Sequence, residues 1–230
     1  MARAPEVTLS TLRPILEFCR DCQVRFLIAR CSASEIRLAR TMEEEGFRLA
    51  DTQLHFFRAL ARPPLPERDA NFEVRPVSEA EIDILAEVAA SAFRDYRGHY
   101  HEEPRLAQTT SSAEIYSSWA VNSWRDRQRG GNVWLAWYRG KPVAFICSRR
   151  LGPQEADLGL AGAIPAFIRR APVMQEMINE MLIQWKKQGL VRVRACILLT
   201  NISIHRILVG LDFRLVRSVH TFHFWFPDDG

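Results

Sequence analysis

The stretch LGLAGAIPAFIRRAPVMQEMINEMLIQWKKQG, residues 158–189, decides how the rest of the sequence is interpreted. It begins with an apolar run over residues 158–165, which predicts a buried strand, and continues with a short basic turn over residues 166–173. After the turn, apolar residues recur at spacings of three and four, which predicts one face of a helix that ends before Gly189. These residues are Met174, Met177, Ile178, Met181, Leu182 and Trp185. Such a strand, turn and helix bring free N–H groups and a positive dipole end to one point, where an anionic group such as a pyrophosphate binds.

Composition and charge restrict the classes of function. The chain has 230 residues, of which 47% are hydrophobic, so it can bury one large core or two small ones. Its net charge of +4 is spread along the chain, and we therefore expect no nucleic-acid partner, whereas a small anionic ligand would account for the clustered arginines equally well. No stretch has the length and apolarity of a signal-peptide core or a membrane span, which predicts a cytoplasmic protein with no membrane partner.

The five cysteines have no regular framework spacing, which is typical of a protein from a reducing compartment. Cys19 and Cys22 form a lone C-x-x-C pattern, and no second cysteine or histidine pair follows at zinc spacing. We therefore expect both thiols on the buried side of the first helix, Cys196 in the core, and no metal site.

Helical and strand patterns alternate along the whole sequence. The periodicity predicts helices over residues 9–22, 33–45, 79–93, 114–124, 174–188 and 203–211. It predicts strands over residues 24–29, 47–56, 74–76, 133–137, 143–147, 158–163, 191–198 and 216–226, with a hairpin at 138–142. Capping-box patterns begin at Ser32 and Ser78. A proline-rich segment interrupts both periods, so we expect a smaller N-terminal domain over residues 1–62, a linker over 63–70 and a larger domain over 71–230.

The end of the N-terminal segment resembles the end of the chain. Both run helix, strand, polar turn, helix and aromatic-rich strand. When Phe47 is placed on Phe213, further identities follow: Ala29 on Ala195, Arg40 on Arg206 and Phe56 on Phe222. The shared order of elements, more than these few identities, predicts a partial duplication.

Two groups of polar and aromatic residues are candidates for ligand binding. Residues 94–104 have no periodicity, and this segment is either a solvated loop or a binding site for a sugar or base. Its candidate residues are Tyr96, His99, Tyr100 and His101. His220 and His223 lie in the last predicted strand, and their odd separation puts them on opposite faces, so one of them faces a ligand. We assign that role to His223.

The order of elements and several short motifs resemble the GCN5-related N-acetyltransferase (GNAT) family. The motifs are VRP at 74–76, the hairpin RGKP at 139–142, the strand that ends at Pro165, and Thr200-Asn201 followed by Leu211-Asp212-Phe213. Within the family, the chain is most similar to sugar N-acyltransferases of the TDP-fucosamine acetyltransferase type, through residues 91–93, 115–116, 119 and 158–162. The resemblance covers nearly the whole chain and implies an α/β (α+β) fold, with a mixed central sheet flanked by helices and a smaller partial GNAT-like domain before it.

The resemblance also implies a reaction, the transfer of an acyl group from acetyl-CoA or a longer acyl-CoA to an amine, without a metal. The acceptor would be a nucleotide-linked amino sugar, with dTDP as its nucleotide, used for a surface polysaccharide and bound by the polar residues named above. The residues that would hold the pantetheine arm are Leu160, Ala161, Gly162, Ala163 and Ile164. The residues that would hold the pyrophosphate are Arg169, Arg170, Ala171, Val173 and Met174, and Asn201 would contact the cofactor and take part in catalysis.

Two departures from the family pattern affect this expectation. The family's pyrophosphate loop contains glycines whose backbone approaches the phosphates, but the loop here has none, and Pro172 has no N–H to donate. Arg169 and Arg170 compensate if their guanidinium groups reach phosphate, although adjacent surface arginines are more often only solvated. Leu208 stands where the family's tyrosine acid is expected, and His205, one helical turn earlier on the same face, is the candidate acid.

Three functions therefore stay open. The first is the sugar N-acyltransferase with His205 and Asn201 in catalysis. The second is a catalytically degenerate GNAT-fold protein that binds a ligand or partner, which the missing glycines and tyrosine favour. The third is the same enzyme with a bulkier acyl-CoA donor. We also expect the aromatic residues of the last predicted strand to be exposed and to suit a homodimer contact: Phe222, Phe224, Trp225 and Phe226.

Overall fold

A computed structural model of the chain describes residues 1–61, 71–96, 105, 111–126, 131–168 and 172–227. Its helices are α1 (Leu9–Asp21), α2 (Ile36–Glu44), α3 (Ile82–Ala92), α4 (Ser112–Arg125), α5 (Pro165–Ile168), α6 (Val173–Lys187) and α7 (Ile202–Gly210), and a 3₁₀ turn (Glu79–Glu81) precedes α3. Its strands are β1 (Ala2–Ala4), β2 (Phe26–Ser32), β3 (Arg48–Ala59), β4 (Phe72–Pro76), β5 (Gly131–Tyr138), β6 (Lys141–Gly152), β7 (Glu155–Ala163), β8 (Arg192–Leu198) and β9 (Arg214–Trp225). No helix within these ranges is long and apolar enough to cross a membrane.

The elements divide into two compact units. Unit 1 comprises Met1–His55, Ile197–Asn201 and Leu215–Gly230, and unit 2 comprises Phe56–Cys196 and Ile202–Arg214. Unit 1 therefore includes the last strand of the chain in addition to the N-terminal elements. The predicted division into domains at 1–62 and 71–230 stays a prediction.

Unit 1 is a mixed sheet with helices packed on it. Its strand order is β1-β2-β9-β3. β1 runs parallel to β2, with Ala4 opposite Ala29, and β2 runs antiparallel to β9, with Ile28 opposite His223. The helices pack on this sheet through apolar residues at helical spacing, which share one core with residues of the strands: Leu12, Leu16 and Cys19 of α1, Leu38 and Met42 of α2, and Leu27 and Phe222.

Unit 2 holds the strand order β8-β7-β6-β5-β4. Neighbouring strands from β4 to β7 are antiparallel, and β8 runs parallel to β7. β5 and β6 form the predicted hairpin, because Arg139 and Gly140 adopt the positive φ angles, 50° and 73°, that a type I′ turn requires. α3 and α4 pack on one face through a core that includes Phe93, Tyr116 and Phe145. Mixed sheets flanked by helices confirm the predicted fold class.

The boundaries of the helices and strands match between the two halves of the chain, as the duplication predicted from the sequence requires. At the offset that places Phe47 on Phe213, three elements of the N-terminal half coincide with three of the C-terminal half: Phe26–Ser32 with Arg192–Leu198, Ile36–Glu44 with Ile202–Gly210, and Arg48–Ala59 with Arg214–Trp225. Turn residues with positive φ coincide as well, namely Gly46 (94°) with Asp212 (63°) and Gln23 (54°) with Gly189 (81°). Shared boundaries and turn conformations support a duplication much better than the few identical residues do.

Several expectations about single residues are wrong. Ser32 is the last residue of β2, and α2 begins at Ile36 without a side-chain cap, so the first capping-box pattern does not cap a helix. Cys22 and Cys196 are exposed, whereas Cys19 is buried as expected. Cys22 lies just beyond the last turn of α1, and Cys196 alternates with the buried Ala195 on β8, so neither thiol faces a core.

The aromatic residues of β9 are less exposed than the sequence predicts. Phe222 is 1% exposed, and Phe224 and Phe226 pack against the core of unit 1. Phe224 also lies against Phe47, with 4.6 Å between the ring centroids. These rings belong to the core of unit 1, and the homodimer contact stays a prediction.

The second capping box is formed, and it joins β4 to the start of α3. The Glu81 carboxylate accepts hydrogen bonds from the Ser78 N–H at 3.0 Å and from the Ser78 hydroxyl at 2.7 Å. Arg75 of β4 donates two more, at 2.7 and 2.6 Å. These bonds, with the hydrogen bonding from Arg75 as the largest cause, lower the pKa of Glu81 to about 2. The charged carboxylate therefore stabilises the junction.

Replacing Glu81 with glutamine should lower the free energy of unfolding by about 1.5–3 kcal/mol at neutral pH, because the charge-assisted bonds to Arg75 are lost. The lowered pKa also sets a pH dependence. In the wild type the contribution is complete above the ordinary pKa of 4.5 and is lost as pH falls toward about 2. Between pH 4.5 and about 2, urea denaturation should therefore show that Glu81→Gln loses less stability than the wild type does as the pH falls.

The matched control is Glu79→Gln, in the same turn, because Glu79 is exposed. It should change the free energy of unfolding by less than about 0.5 kcal/mol. Equal effects of the two substitutions would contradict the role given to Glu81.

Candidate functional site

The hydrogen-bond ladder between β7 and β8 ends early. The two parallel strands pair from Glu155 with Arg192 to Leu158 with Ala195. β7 continues to Ala163, and in the part of the chain that the structure describes no backbone pair joins this continuation to β8. Its other edge stays paired with β6. The end of β7 therefore presents half-exposed backbone N–H and C=O groups to which an extended ligand can bind.

A β-bulge lies at the point where β7 leaves β8. On either side of Cys147, β6 pairs with Leu158 and Ala161, so Gly159 and Leu160 together oppose the single residue Cys147. An extra residue of this kind bends the strand that carries it and increases its twist. The bulge gives a physical reason for the early end of the ladder.

The end of β7 is packed tightly against α3. Leu160 and Ile164 lie against the core beneath α3 and α4. A Cβ on Gly162, between them, would lie 2.8 Å from Cε2 of Phe93 and 2.9 Å from Cβ of Ala92. Glycine lets the helix approach the strand this closely, because a larger residue would need the helix to move.

An aromatic row continues outward from this contact. Phe93 stacks on Tyr116 with 4.2 Å between centroids, and Tyr96 meets these rings edge-on at 5.2 and 5.3 Å. The hydroxyl of Ser112 donates to the carbonyl of Tyr96 at 2.5 Å, which holds the turn after α3. Trp119 stacks on Tyr116 at 6.0 Å and is 50% exposed, so the row reaches solvent.

The first turn of α6 has backbone amides without caps. Pro172 precedes α6, and among the residues that the structure describes no side chain caps this N-terminus. The equivalent helix α1 is capped by Thr8, whose hydroxyl oxygen accepts the N–H of Thr11 at 3.2 Å. The amides of Val173 and Met174 have no partner within α6, and such groups at the positive end of a helix attract anions.

Six predicted site residues lie outside the described residues. They are His99, Tyr100, His101, Arg169, Arg170 and Ala171. Their assignment to the acceptor and the pyrophosphate stays a prediction.

The N-terminal half lacks an opening comparable to the one beside β7. Ala4, at the end of β1, corresponds to Leu158 in the repeat, because each lies opposite the equivalent alanine of the next strand. Beyond Ala4 the chain stays on β2, since the N–H of Val7 donates to the carbonyl of Arg30 at 2.7 Å. Within the described residues, the early end of the parallel ladder and the uncapped helix after it are found at β7 and α6 but not at the equivalent β1 and α1.

The two candidate catalytic residues belong to different units. His205 lies in α7 of unit 2, half-buried, with its ring centroid 5.5 Å from that of Phe56. Leu208, one turn later, is 1% exposed and packs in the core. Asn201 belongs to unit 1 and directly precedes α7, a position where asparagine often caps a helix.

His223, assigned to ligand binding from the sequence, is buried. It is 4% exposed and lies in unit 1, with its ring edge-on to Phe26 at 5.0 Å. His220 of the same strand has Nδ1 2.9 Å from the hydroxyl oxygen of Thr52. The role of His223 toward an acceptor stays a prediction.

One titratable residue of β7 was missed by sequence reasoning. Burial raises the pKa of Asp157 to about 6, although Arg149 and Arg194, opposite it on β6 and β8, lower it. Asp157 lies about 7 Å along the strand before the bulge. Perturbed carboxyl groups are common at functional sites, but this perturbation depends on tertiary burial and left no sequence pattern. The described residues contain no group of three or more His, Cys, Asp or Glu that could hold a metal ion.

Comparison with known proteins identifies the fold. No protein-family model and no curated protein matches the chain. A conserved protein of unknown function from Staphylococcus epidermidis is similar in structure over 97% of this chain and 83% of its own, with a TM-score of 0.69 and 10% identity. A GCN5-related N-acetyltransferase from Sphaerobacter thermophilus is similar over 94% and 69%, with a TM-score of 0.67 and 15% identity. A tandem GNAT protein from the clavulanic acid biosynthesis pathway is similar over 98% and 77%, with a TM-score of 0.61 and 13% identity.

These likenesses show that nearly the whole chain has the GNAT fold expected from the sequence. At such low identity they establish the fold alone. What this chain binds and does must be argued from its own residues.

Replacing Gly162 with alanine should lower the free energy of unfolding by about 1–3 kcal/mol, because the new methyl group would overlap Phe93 and Ala92. Gly152→Ala on β6 is the matched control, since a Cβ there meets nothing within 4 Å. It should change stability by less than about 0.5 kcal/mol. Denaturant unfolding measures both, and equal values would contradict the close packing of α3 on β7.

Proposed function

We propose that the chain is an acyl-CoA-dependent N-acyltransferase whose donor site lies along β7. The observation that carries this proposal is the early end of the β7–β8 ladder at Leu158 and Ala195. An extended amide-containing chain can pair with the unpartnered backbone edge beyond Leu158 in the way a further strand would. The pantetheine arm of CoA is such a chain, with two amide groups and a thiol at its end.

The start of α6 suits the other end of the same cofactor. Its uncapped amides at Val173 and Met174 offer donors to the pyrophosphate, although Pro172 offers none. Arg169 and Arg170 would add charge-assisted hydrogen bonds to the phosphates. Because the corresponding features of the N-terminal half are closed and capped, we expect one acyl-CoA site per chain.

The proposed reaction is direct transfer. The amine of the acceptor attacks the thioester carbonyl, the new C–N bond forms, and the C–S bond breaks as the tetrahedral intermediate collapses. The ammonium proton must leave the nitrogen, and the departing thiolate takes up a proton. Asp157 is our candidate base, directly or through water, because its raised pKa lets it accept a proton near neutral pH.

His205 remains our candidate acid for the thiolate, because Leu208 cannot donate a proton. Asn201 is proposed from the family resemblance as a cofactor contact. Thiolates are fair leaving groups, so an imperfect acid slows this reaction without preventing it.

For the acceptor, we propose a nucleotide-linked amino sugar, in line with the sequence resemblance. The aromatic row of unit 2 supports a planar or ring-shaped acceptor, because Tyr96 and the half-exposed Trp119 provide surfaces on which a sugar or base can stack. The dTDP nucleotide and the use in a surface polysaccharide rest on resemblance alone.

The second candidate is a catalytically degenerate GNAT-fold protein that binds a ligand without acyl transfer. The buried Leu208 in place of a proton donor favours it. A donor with a bulkier acyl group is a variant of the first proposal, in which the altered loop holds the cofactor differently.

Calorimetric titration with acetyl-CoA should show one molecule bound per chain. 3′,5′-ADP should bind at least tenfold more weakly, because it lacks the arm that would pair with β7. Longer acyl-CoA thioesters in the same series test the bulkier donor. If no CoA species binds, the acyl-CoA-dependent N-acyltransferase and its variant with a bulkier acyl donor are both excluded.

The double variant Arg169→Ala and Arg170→Ala should weaken acetyl-CoA binding by about 1–3 kcal/mol if the guanidinium groups reach the phosphates. Arg206→Gln, an exposed arginine on α7, is the control and should bind as the wild type does. Unchanged binding by the double variant would show that the two arginines are surface charges.

The pH dependence of kcat/KM should identify the base and the acid. A base must be ionised, so the rate should rise with pH through about 6, the pKa of Asp157, and Asp157→Asn should lose this rise. An acid must be protonated, so the rate should fall at higher pH, and His205→Ala should lose this fall. Each variant should also be slower, on the order of 10²-fold.

The thiol released from acyl-CoA is measured with a panel of nucleotide amino sugars. Arg206→Gln should show both the rise and the fall of the rate with pH that the wild type shows. A wild-type profile in Asp157→Asn would remove Asp157 as the base, and one in His205→Ala would remove His205 as the acid. Binding of CoA without thiol release on any acceptor would favour the degenerate ligand-binding protein.

A further inference from the structure

A separate cavity of about 190 Å³ lies in unit 2 at the C-terminal end of α6. It is formed by the start of β5, the end of β6 and the end of α6. The polar and aromatic residues that line it are Asn132, Ser148, Arg149, Arg150, Trp185 and Gln188. α6 has 15 residues, so this cavity and the first turn of the helix are about 20 Å apart along its axis.

Regular elements hold the cavity in place. Asn132 pairs with Ser148 across β5 and β6, and the Ser148 hydroxyl donates to the carbonyl of Asn132 at 3.2 Å. Trp185 is 4% exposed, so its indole is a fixed wall. Sites built on strands and helices keep their geometry better than sites on loops.

The side chains at this cavity supply donors that the protein itself leaves unused. Within the part of the chain that the structure describes, Arg150 has no hydrogen bond or ion pair, and the side-chain amides of Asn132 and Gln188 have no hydrogen bond. Arg149 lies beside Asp157, which offsets part of its charge. The cavity therefore combines an unpaired guanidinium with two free amides.

Capping of α6 does not account for these arginines. The last carbonyls of the helix are used in a Schellman motif, in which the N–H of Leu190 donates to Trp185 at 3.0 Å and the N–H of Gly189 donates to Lys186 at 3.1 Å. An anion in the cavity would accept charge-assisted hydrogen bonds from the unpaired Arg150 guanidinium and neutralise its charge.

We propose that this cavity binds a small oxyanion, a carboxylate or phosphate compound, at a second site separate from the proposed acyl-CoA site. Arg150 would bind the oxyanion, and Asn132 and Gln188 would donate to it or to a polar group next to it. The indole of Trp185 would pack against its carbon skeleton. The cavity volume corresponds to about six water molecules, which limits the ligand to a small metabolite or inorganic anion. This proposal does not depend on the acyltransferase proposal.

The test is titration of the ¹⁵N-labelled full chain with sodium phosphate and, separately, with sodium malonate, at constant ionic strength. The NMR signal of the Trp185 indole N–H, assigned with Trp185→Phe, and the amide signals of Asn132 and Gln188 report on this cavity alone. At least one of the two anions should change the chemical shifts of all these signals. The changes should saturate together, as expected for one binding site. Arg150→Gln should weaken that binding at least tenfold, the loss expected for a charge-assisted hydrogen bond. The anion that binds more tightly identifies the ligand as a carboxylate or a phosphate.

Arg217→Gln is the control, because Arg217 is an exposed arginine of β9 in unit 1. It should bind the anion as the wild type does. Shifts that grow linearly with both anions up to high millimolar concentration, or equal affinity in Arg150→Gln, would overturn the proposal. These signals lie far from the first turn of α6, so the two proposals fail independently. Absence of anion binding at the cavity would not change the result expected with acetyl-CoA, and absence of acetyl-CoA binding would not change the result expected with the anions.

Discussion

The arrangement of unit 2 depends on one constraint, the different pairing of the two edges of β7. One edge is hydrogen-bonded to β6 as far as Ala163, and the other is bonded to β8 only as far as Leu158. The bulge at Gly159 bends the strand, and close packing of α3 on Gly162 holds the bent part in place. An open backbone edge is costly when buried without partners. The backbone at residues 160–162 is half-exposed, so an extended ligand can reach this edge, and this is why the donor site is proposed here.

The internal repeat provides a comparison within one chain. Both halves contain a helix, a parallel strand pair, a second helix and a long strand with matching boundaries. In the N-terminal half, Val7 continues the ladder on β2 and Thr8 caps the following helix. In the C-terminal half, the described residues provide no strand partner beyond Leu158 and no side-chain cap for α6. Since the surrounding elements are so alike, the two halves differ mainly in a few residues at the ends of β1 and β7 and at the starts of α1 and α6. The donor site is therefore proposed in the C-terminal half alone.

Most of the fold could be predicted from the sequence, because helical and strand periodicity depend on local spacing. The helix of residues 173–187, the hairpin at Arg139 and the duplication all follow from such patterns. The predictions that failed concern properties that depend on tertiary packing. Ser32 has the pattern of a cap but ends a strand, and Phe222 is buried by neighbours that are distant in sequence. Asp157 was missed for the same reason, because its raised pKa comes from burial between β6 and β8. The early end of the ladder also has no local signal, since pairing is a relation between strands.

The two departures from the family pattern affect different parts of the proposed chemistry. Pro172 removes one amide from the turn, but the following amides of α6 stay available because they belong to the helix and not to a glycine-rich loop. Leu208 is a full member of the core, so a tyrosine at this position would have to displace packed side chains. The absence of a tyrosine acid at this position is therefore built into the packing of α7, whereas the proposed donor site would depend mainly on backbone groups that no side-chain substitution removes. A protein of this kind would keep cofactor binding more readily than fast turnover. For this reason binding of acyl-CoA and its transfer are separate questions for this chain.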